Sequence, residues 1–299
     1  MAIGSMFCYY KAEMSQMHLE APPQENLSDF YKANGYAIAK GLFSKLECDE
    51  LIVHYMKMRE EGAKGDLGIV NAANGDPLLR YPRLMNMHHW DARTLEWALD
   101  RRIQDVLTVL LEDEALFVQT MLYFKPAGAR GQALHQDQFY LRANPGTCMA
   151  AWMALEPIDE ENGCLQVVPR THELPILCTQ TADTQKSFTD VVVPLGEGME
   201  PIPVIMEPGD VLFFNGSLIH GSFPNSSANR FRRSLIGHYI TGKSTEVSTY
   251  YKPILRADGS EVQLKASEGG GPCGVWVDLD GKSVVELSGG MLSNSLGTE

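Results

Sequence analysis

Leu134-His135-Gln136-Asp137-Gln138-Phe139-Tyr140 is the stretch whose reading decides this chain. Leu134, Phe139 and Tyr140 favour a strand. In a strand, residues two apart project from one face, about 7 Å apart along the backbone. On that reading His135 and Asp137 point the same way and grip one metal ion. Two histidines and one carboxylate on one face of an octahedron, with the other positions open, make a site for non-haem Fe(II) and O2 chemistry. A lone His-x-Asp is common by chance, so its weight depends on finding a third ligand.

The third ligand is sought downstream. Glu207-Pro208-Gly209-Asp210 places Pro and Gly at the centre of a type II turn. Val211-Leu212-Phe213-Phe214 follows as a strand, and His220 then stands at the end of an apolar stretch between small residues. Asn229 to Ile240 reads as a further strand with arginines at its start. A guanidinium there suits the distal carboxylate of a dicarboxylate co-substrate, which it holds in a two-pronged hydrogen bond.

The 299 residues are 44% hydrophobic and 21% charged, ordinary for a globular protein. A net charge of −13 argues against nucleic acid or an anionic membrane as partner. It also weighs against a polyanionic coenzyme A thioester unless a local basic patch overrules the average. No apolar run reaches transmembrane length and no basic-then-apolar leader is legible, so a cytoplasmic protein is expected. Cys8, Cys48, Cys148, Cys164, Cys178 and Cys273 are scattered without zinc-type spacing, and are expected to be reduced thiols.

Residues 1–24 show no clear period and form an N-terminal extension. Leu27, Phe30 and Tyr31 share a helical face ahead of Gly35, which suits a helix C-terminus. Tyr36 to Ala39 is a short strand. Ser44-Lys45-Leu46-Glu47 is a capping box opening a helix to about Gly62. Gly62 to Pro82 reads as a long loop, and Asp91 caps a single helix to about 112. From Phe117 alternation takes over, with strands near 117–125, 133–140, 147–155, 164–168, 202–206, 211–214 and 233–241. Many short strands separated by turns indicate a sandwich or small barrel. The 173–200 stretch is a candidate lid, and Asp258-Gly259 and Asp280-Gly281 mark hairpins within a C-terminal extension, 244–299.

These phrases, taken together and in order, resemble the phytanoyl-CoA dioxygenase family of Fe(II)/2-oxoglutarate oxygenases. The resemblance rests on Met121-Leu122-Tyr123-Phe124-Lys125-Pro126, Leu134-His135-Gln136-Asp137 and Ala151-Trp152-Met153-Ala154-Leu155-Glu156. It continues through Asn162-Gly163-Cys164-Leu165-Gln166-Val167-Val168-Pro169-Arg170-Thr171-His172 and His220-Gly221-Ser222 with its arginine strand. It covers roughly residues 25–243, and implies a double-stranded β-helix (jelly roll, cupin-like) with flanking helices.

It further implies Fe(II) held by His135, Asp137 and His220, with 2-oxoglutarate and O2 as co-substrates and hydroxylation of a small molecule as the usual outcome. Desaturation, epoxidation and rearrangement belong to the same chemistry. Related halogenases carry a small residue where this chain has Asp137, so halogenation is not expected. The family's spacing for the carboxylate-binding arginine falls on Phe231. Matching the Phe-Arg-basic phrase implies one inserted residue in the 223–229 loop and points to Arg232, with Arg230 as fallback and Arg233 facing away. Ser222 matches a co-substrate hydroxyl contact, while Gln119, Met121, Tyr123 and Trp152 match residues lining the co-substrate.

Plainer readings stand beside these: Met121, Tyr123 and Trp152 as core, Ser222 as a turn cap, His238 as packing, His54, His88 and His89 as structural or solvated. Two other function classes use the same ligands, a zinc-dependent hydrolase and a non-catalytic binding module. Substrate contacts are sought in the 63–82 and 173–200 loops, near Gln138 and Tyr140, and in the C-terminal hairpins. A monomer or homodimer is expected.

Overall fold

Every residue of the strand Cys148–Ala154 is buried, which requires both faces of its sheet to be covered. Alternation sorts the two covers. Ala150, Trp152 and Ala154 belong to one core with Leu165, Val167, Val204, Leu212 and Phe214. Met149, Ala151 and Met153 belong to another with Leu51, Tyr55, Trp97, Ile103 and Leu107. The first core lies between two sheets; the second lies between the larger sheet and the helices. The protein, described here from a computed structural model for residues 8–9, 27–61, 67–68, 75–267 and 271–291, is therefore a mainly β jelly roll with helices on one outer face.

The helical layer begins with α1 (Leu27–Asn34), closed by Gly35 at φ +81° with its N–H donating to Tyr31 O. Strand β1 (Tyr36–Ala39) follows, then α2 (Lys45–Glu60), opened by the complete Ser44/Glu47 capping box. After β2 (Arg83–Met85) come α3 (Ala92–Ala98) and α4 (Arg101–Leu111). The single helix predicted from Asp91 is thus two. Asp91 caps the first, and the Asp100 carboxylate accepts from Arg102 N–H and starts a second. Side-chain competition for backbone donors is what an aspartate offers at a helix start.

The strands are β3 (Ala115–Lys125), β4 (Gln132–His135), β5 (Cys148–Ala154), β6 (Leu165–Val167), β7 (Ile202–Val204), β8 (Val211–Asn215), β9 (His220–Ser222) and β10 (Arg232–Thr241). The larger sheet runs β3-β10-β5-β8-β1 through its centre, with β2 paired to β3; the smaller runs β7-β6-β9-β4. The predicted strand over 133–140 ends at His135. Asp137 is helical (φ −62°, ψ −32°) and opens one turn, Gln138–Leu141. Buried Gln136 explains the bend: its amide spans Ser217 O, Pro175 O and Leu177 N–H, which pulls the chain off the sheet.

Beyond Thr241, the Asp258-Gly259 and Asp280-Gly281 turns both form hairpins, the latter joining Pro272–Leu279 to Lys282–Met291. Cys8–Tyr9 pairs with Val284–Val285; the rest of residues 1–24, and most of the 62–74 loop, lie outside the described residues. Cys178 and Cys273 form a disulfide between the 173–200 segment and the C-terminal hairpin, correcting the expectation of reduced thiols throughout. Partners 95 residues apart are joined by tertiary packing and leave no spacing motif in sequence. By loop-closure entropy such a cross-link contributes about 2–4 kcal/mol. Cys273→Ser is expected to lower the melting temperature by about 5–10 °C, and reductant should do the same to wild type but nothing further to the variant. Equal melting of wild type with and without reductant would remove the bond from the stability account. No helix among the described residues is long and apolar enough to cross a membrane.

Candidate metal and co-substrate site

His135 ends β4 and His220 begins β9, and the antiparallel register sets the two directly opposite each other. Each imidazole Nδ1 donates to a carbonyl two residues back, His135 to Ala133 O at 2.9 Å and His220 to Leu218 O at 3.0 Å. That assignment turns both Nε2 lone pairs to the inner side, where the one on His135 accepts from Gln132 Nε2 at 3.1 Å. Asp137, brought round by the bend at Gln136, completes the group: Oδ1 lies 3.4 Å from His135 Nε2 and Oδ2 3.6 Å from His220 Nε2. One donor atom from each residue falls within 4.8 Å of the others, and all three residues are buried.

The electrostatics suit a cation. Burial first, and His135 second, push His220 down to about 4, so its ring is neutral near pH 7 as a metal ligand must be. Burial alone would raise the Asp137 carboxyl, but the surrounding histidines His220, His135 and His238 hold it well below the usual carboxylate range. Two imidazoles and one carboxylate are the donor set of a non-haem Fe(II) facial site. The residues present therefore fit the metal.

A second charge centre lies on the same strands. Ser222, two residues past His220, accepts from Lys125 Nζ at 2.8 Å, and the same ammonium donates to Phe223 O at 2.6 Å. Arg232 is the register partner of Lys125 across β10 and β3. Its Nε donates to Gly163 O and its Nη1 to Ser234 Oγ, and its guanidinium carbon is 5.3 Å from the Trp152 ring centre. Both cations are 2% exposed, and no described carboxylate forms an ion pair with either. Burial, then Arg232, holds Lys125 well below the ordinary lysine range; burial lowers Arg232 to about 10. Gly163, at φ +87°, is needed here, because a Cβ would stand 2.7 Å from Lys125 Cδ.

A sequence profile described as phytanoyl-CoA dioxygenase (PhyH) matches residues 31–234. The chain belongs to the phytanoyl-CoA dioxygenase family. Among its relatives, phytanoyl-CoA dioxygenase 1 of Oryza sativa subsp. japonica is 28% identical over 190 residues, 63% of this chain and 66% of that protein, just under two thirds of its length. The peroxisomal phytanoyl-CoA dioxygenase of Homo sapiens is 24% identical over 248 residues, 76% of this chain and 73% of that protein. The family fold is shared with solved structures. The epimerase SnoN in complex with Fe3+, alpha ketoglutarate and nogalamycin RO aligns with a TM-score of 0.61 at 19% identity, covering 74% of this chain and 84% of that one. EctD from S. alaskensis in its apoform aligns at 0.59 and 20%, covering 80% and 85%.

Within this family member, the residues singled out in sequence divide clearly. Met121, Tyr123 and Trp152 face the inter-sheet core, and Gln119 is 2% exposed. Arg230 lies outside, bound to Asp159 at 2.8 Å and Glu161 at 3.1 Å, and Arg233 pairs with Glu156. Gln138 is spent on its own loop, donating to Ala143 O and accepting from Cys148 N–H, which removes it from the substrate-contact candidates.

Four neighbours of the site went unassigned in sequence. Gln132 Nε2 lies 3.1 Å from His135 Nε2, and Arg83 Nη1 donates to Tyr123 OH at 3.4 Å while its buried Nε has no partner. His238, expected only to pack, sets Nε2 3.2 Å from Asp137 Oδ2. Lys125 had a legible signal: it continues the inward alternation Gln119, Met121, Tyr123 by two more residues.

Proposed function

We propose that this chain is an Fe(II)- and 2-oxoglutarate-dependent dioxygenase hydroxylating an unactivated C–H bond of a small organic molecule. One observation carries the reading. Lys125 and its register partner Arg232 are buried basic side chains with no ion-paired carboxylate among the described residues, and Lys125 bonds Ser222, two residues past His220 of a buried His-Asp-His group. Unpaired buried charge is costly, and a dicarboxylate whose far end meets that pair while its 2-oxo acid end reaches the metal offsets the cost. A zinc hydrolase has no use for such a pair, and a binding module has none for open metal positions.

In this reading His135, Asp137 and His220 hold Fe(II), leaving three of six positions open. When bound, the metal with 2-oxoglutarate and O2 supplies the oxidising chemistry, in which R–H becomes R–OH while 2-oxoglutarate becomes succinate and CO2. The protein's own contribution is placement. Arg232 and Lys125 take the distal carboxylate, with Ser222 orienting Lys125 between them. Trp152, Met121, Tyr123 and Gln119 wall the co-substrate and exclude water, which strengthens each charged contact.

The test is anaerobic absorption spectroscopy with Fe(II), with and without 2-oxoglutarate. A weak visible charge-transfer band requiring both components, and absent from His135→Ala, is the expected result. No band at saturating 2-oxoglutarate would overturn the reading. Lys125→Met provides a separate check. Losing one of two charge-assisted contacts should weaken 2-oxoglutarate about 10–100-fold, with Fe(II) affinity unchanged; wild-type affinity in that variant would return Lys125 to a purely structural role.

A further inference from the structure

His238 has no place in the three-ligand scheme, yet its surroundings commit it to one partner. It lies on the inner face of β10, the strand that also carries Arg232, and is 2% exposed. Its Nε2 is 3.2 Å from Asp137 Oδ2, closer than either metal-binding histidine comes to that carboxylate. Its Nδ1 is buried without a partner. Directly across the sheet, Gln119 is its register partner, and Gln119 Nε2 is also buried without one. The two unsatisfied groups are thus an acceptor and a donor on adjacent strands, where side chains of paired residues lie about 5 Å apart.

We propose that His238 is a positioning residue that keeps Asp137 a one-oxygen ligand, with Gln119 holding the His238 proton on Nε2. The Nε2–H engages Oδ2, which leaves Oδ1 to face the cation. A carboxylate gripping through both oxygens would take a fourth coordination position. Only two would then remain for a co-substrate that needs two and an O2 that needs one. The two groups do not bond each other as they stand; a side-chain rotation that brings the Gln119 amide N–H onto Nδ1 would fix the tautomer that can donate to Asp137, the arrangement by which outer partners commonly orient metal ligands. The Leu218 and Ala133 carbonyls do the same for the two histidine ligands. This inference rests on the oxygenase reading above.

The experiment has three arms. Long-range 1H–15N correlation on the metal-free wild type should show His238 as the Nε2–H tautomer, changed or mixed in Gln119→Leu. Anaerobic Fe(II) titration without 2-oxoglutarate should show His238→Leu weakened about 10–100-fold, with His238→Gln, which keeps an N–H donor, within a few-fold of wild type. The Fe(II)–2-oxoglutarate band should shift in His238→Leu and recover in His238→Gln. Wild-type iron affinity and an unshifted band in His238→Leu, or an Nδ1–H tautomer in the wild type, would overturn the inference. If His238→Leu does not fold, the wild-type tautomer and the His238→Gln titration still decide it. Wild type that binds Fe(II) but gives no band strikes the oxygenase reading alone, because the iron-affinity comparison stands without 2-oxoglutarate.

Discussion

Arg232→Ala should raise the 2-oxoglutarate concentration for half-maximal turnover by about two to three orders of magnitude. The lost interaction is a charge-assisted, two-pronged contact in a buried site, worth about 3–4 kcal/mol. Iron binding should be untouched, because Arg232 contacts Gly163, Ser234 and Trp152 and none of the three ligands. The stability effect should run the other way. Without co-substrate, burial first and Arg232 second hold Lys125 well below its ordinary range, so removing Arg232 relieves the second of these. The metal-free variant should melt no lower than wild type, yet lose the rise in melting temperature that 2-oxoglutarate gives the wild type. Arg230→Ala should change neither quantity, since Arg230 is spent on Asp159 and Glu161. If Arg230→Ala impairs 2-oxoglutarate use and Arg232→Ala does not, the register across the 223–229 loop is wrong and the proposed anion site falls.

Asp137→Ala should abolish turnover and weaken Fe(II) by at least about 100-fold. It deletes the one carboxylate from a group whose other two members are imidazoles, and no other carboxylate belongs to that group among the described residues. The backbone should tolerate the change. The helical turn after Asp137 is held by its carbonyl, which accepts from Tyr140 and Leu141 N–H, and by Gln136, none of which needs the carboxylate. The measurement is metal content after anaerobic reconstitution and desalting, beside circular dichroism. One iron per wild-type chain and almost none in a folded variant is expected. Full iron occupancy in Asp137→Ala would mean that the metal sits elsewhere.

Much of this was legible because strand alternation and turn chemistry are local. The Glu207–Asp210 turn, with Gly209 at φ +89°, follows from Pro-Gly at its centre, and the capping box at Ser44 from two residues three apart. The family's Phe-Arg-basic phrase pointed to Arg232 and alternation turned Arg233 away, as found, while Arg230, two residues before Arg232, lies outside because the strand begins only at Arg232. The same reasoning failed at Asp137. Its strand-like residues carry a buried glutamine whose amide is satisfied only by segments some forty and eighty residues away, and those contacts turn the chain into a helical bend. His135 and Asp137 meet all the same, through a bend and not through a shared strand face.

By itself, then, the sequence determined the three side chains that could hold a metal and the alternating strands that carry two of them, and its likeness to the family's phrase singled out the arginine on the last strand. Each depends on residue type and on spacing within a few positions, where backbone geometry is nearly fixed. The tertiary structure alone decided which groups share a low-dielectric space. It set Lys125 beside Arg232 and Ser222, His238 beside Asp137, and Cys178 against Cys273. Charge, tautomer and cross-linking depend on neighbours about a hundred residues apart in the chain. Burial removes the water that would otherwise make such neighbours indifferent to one another.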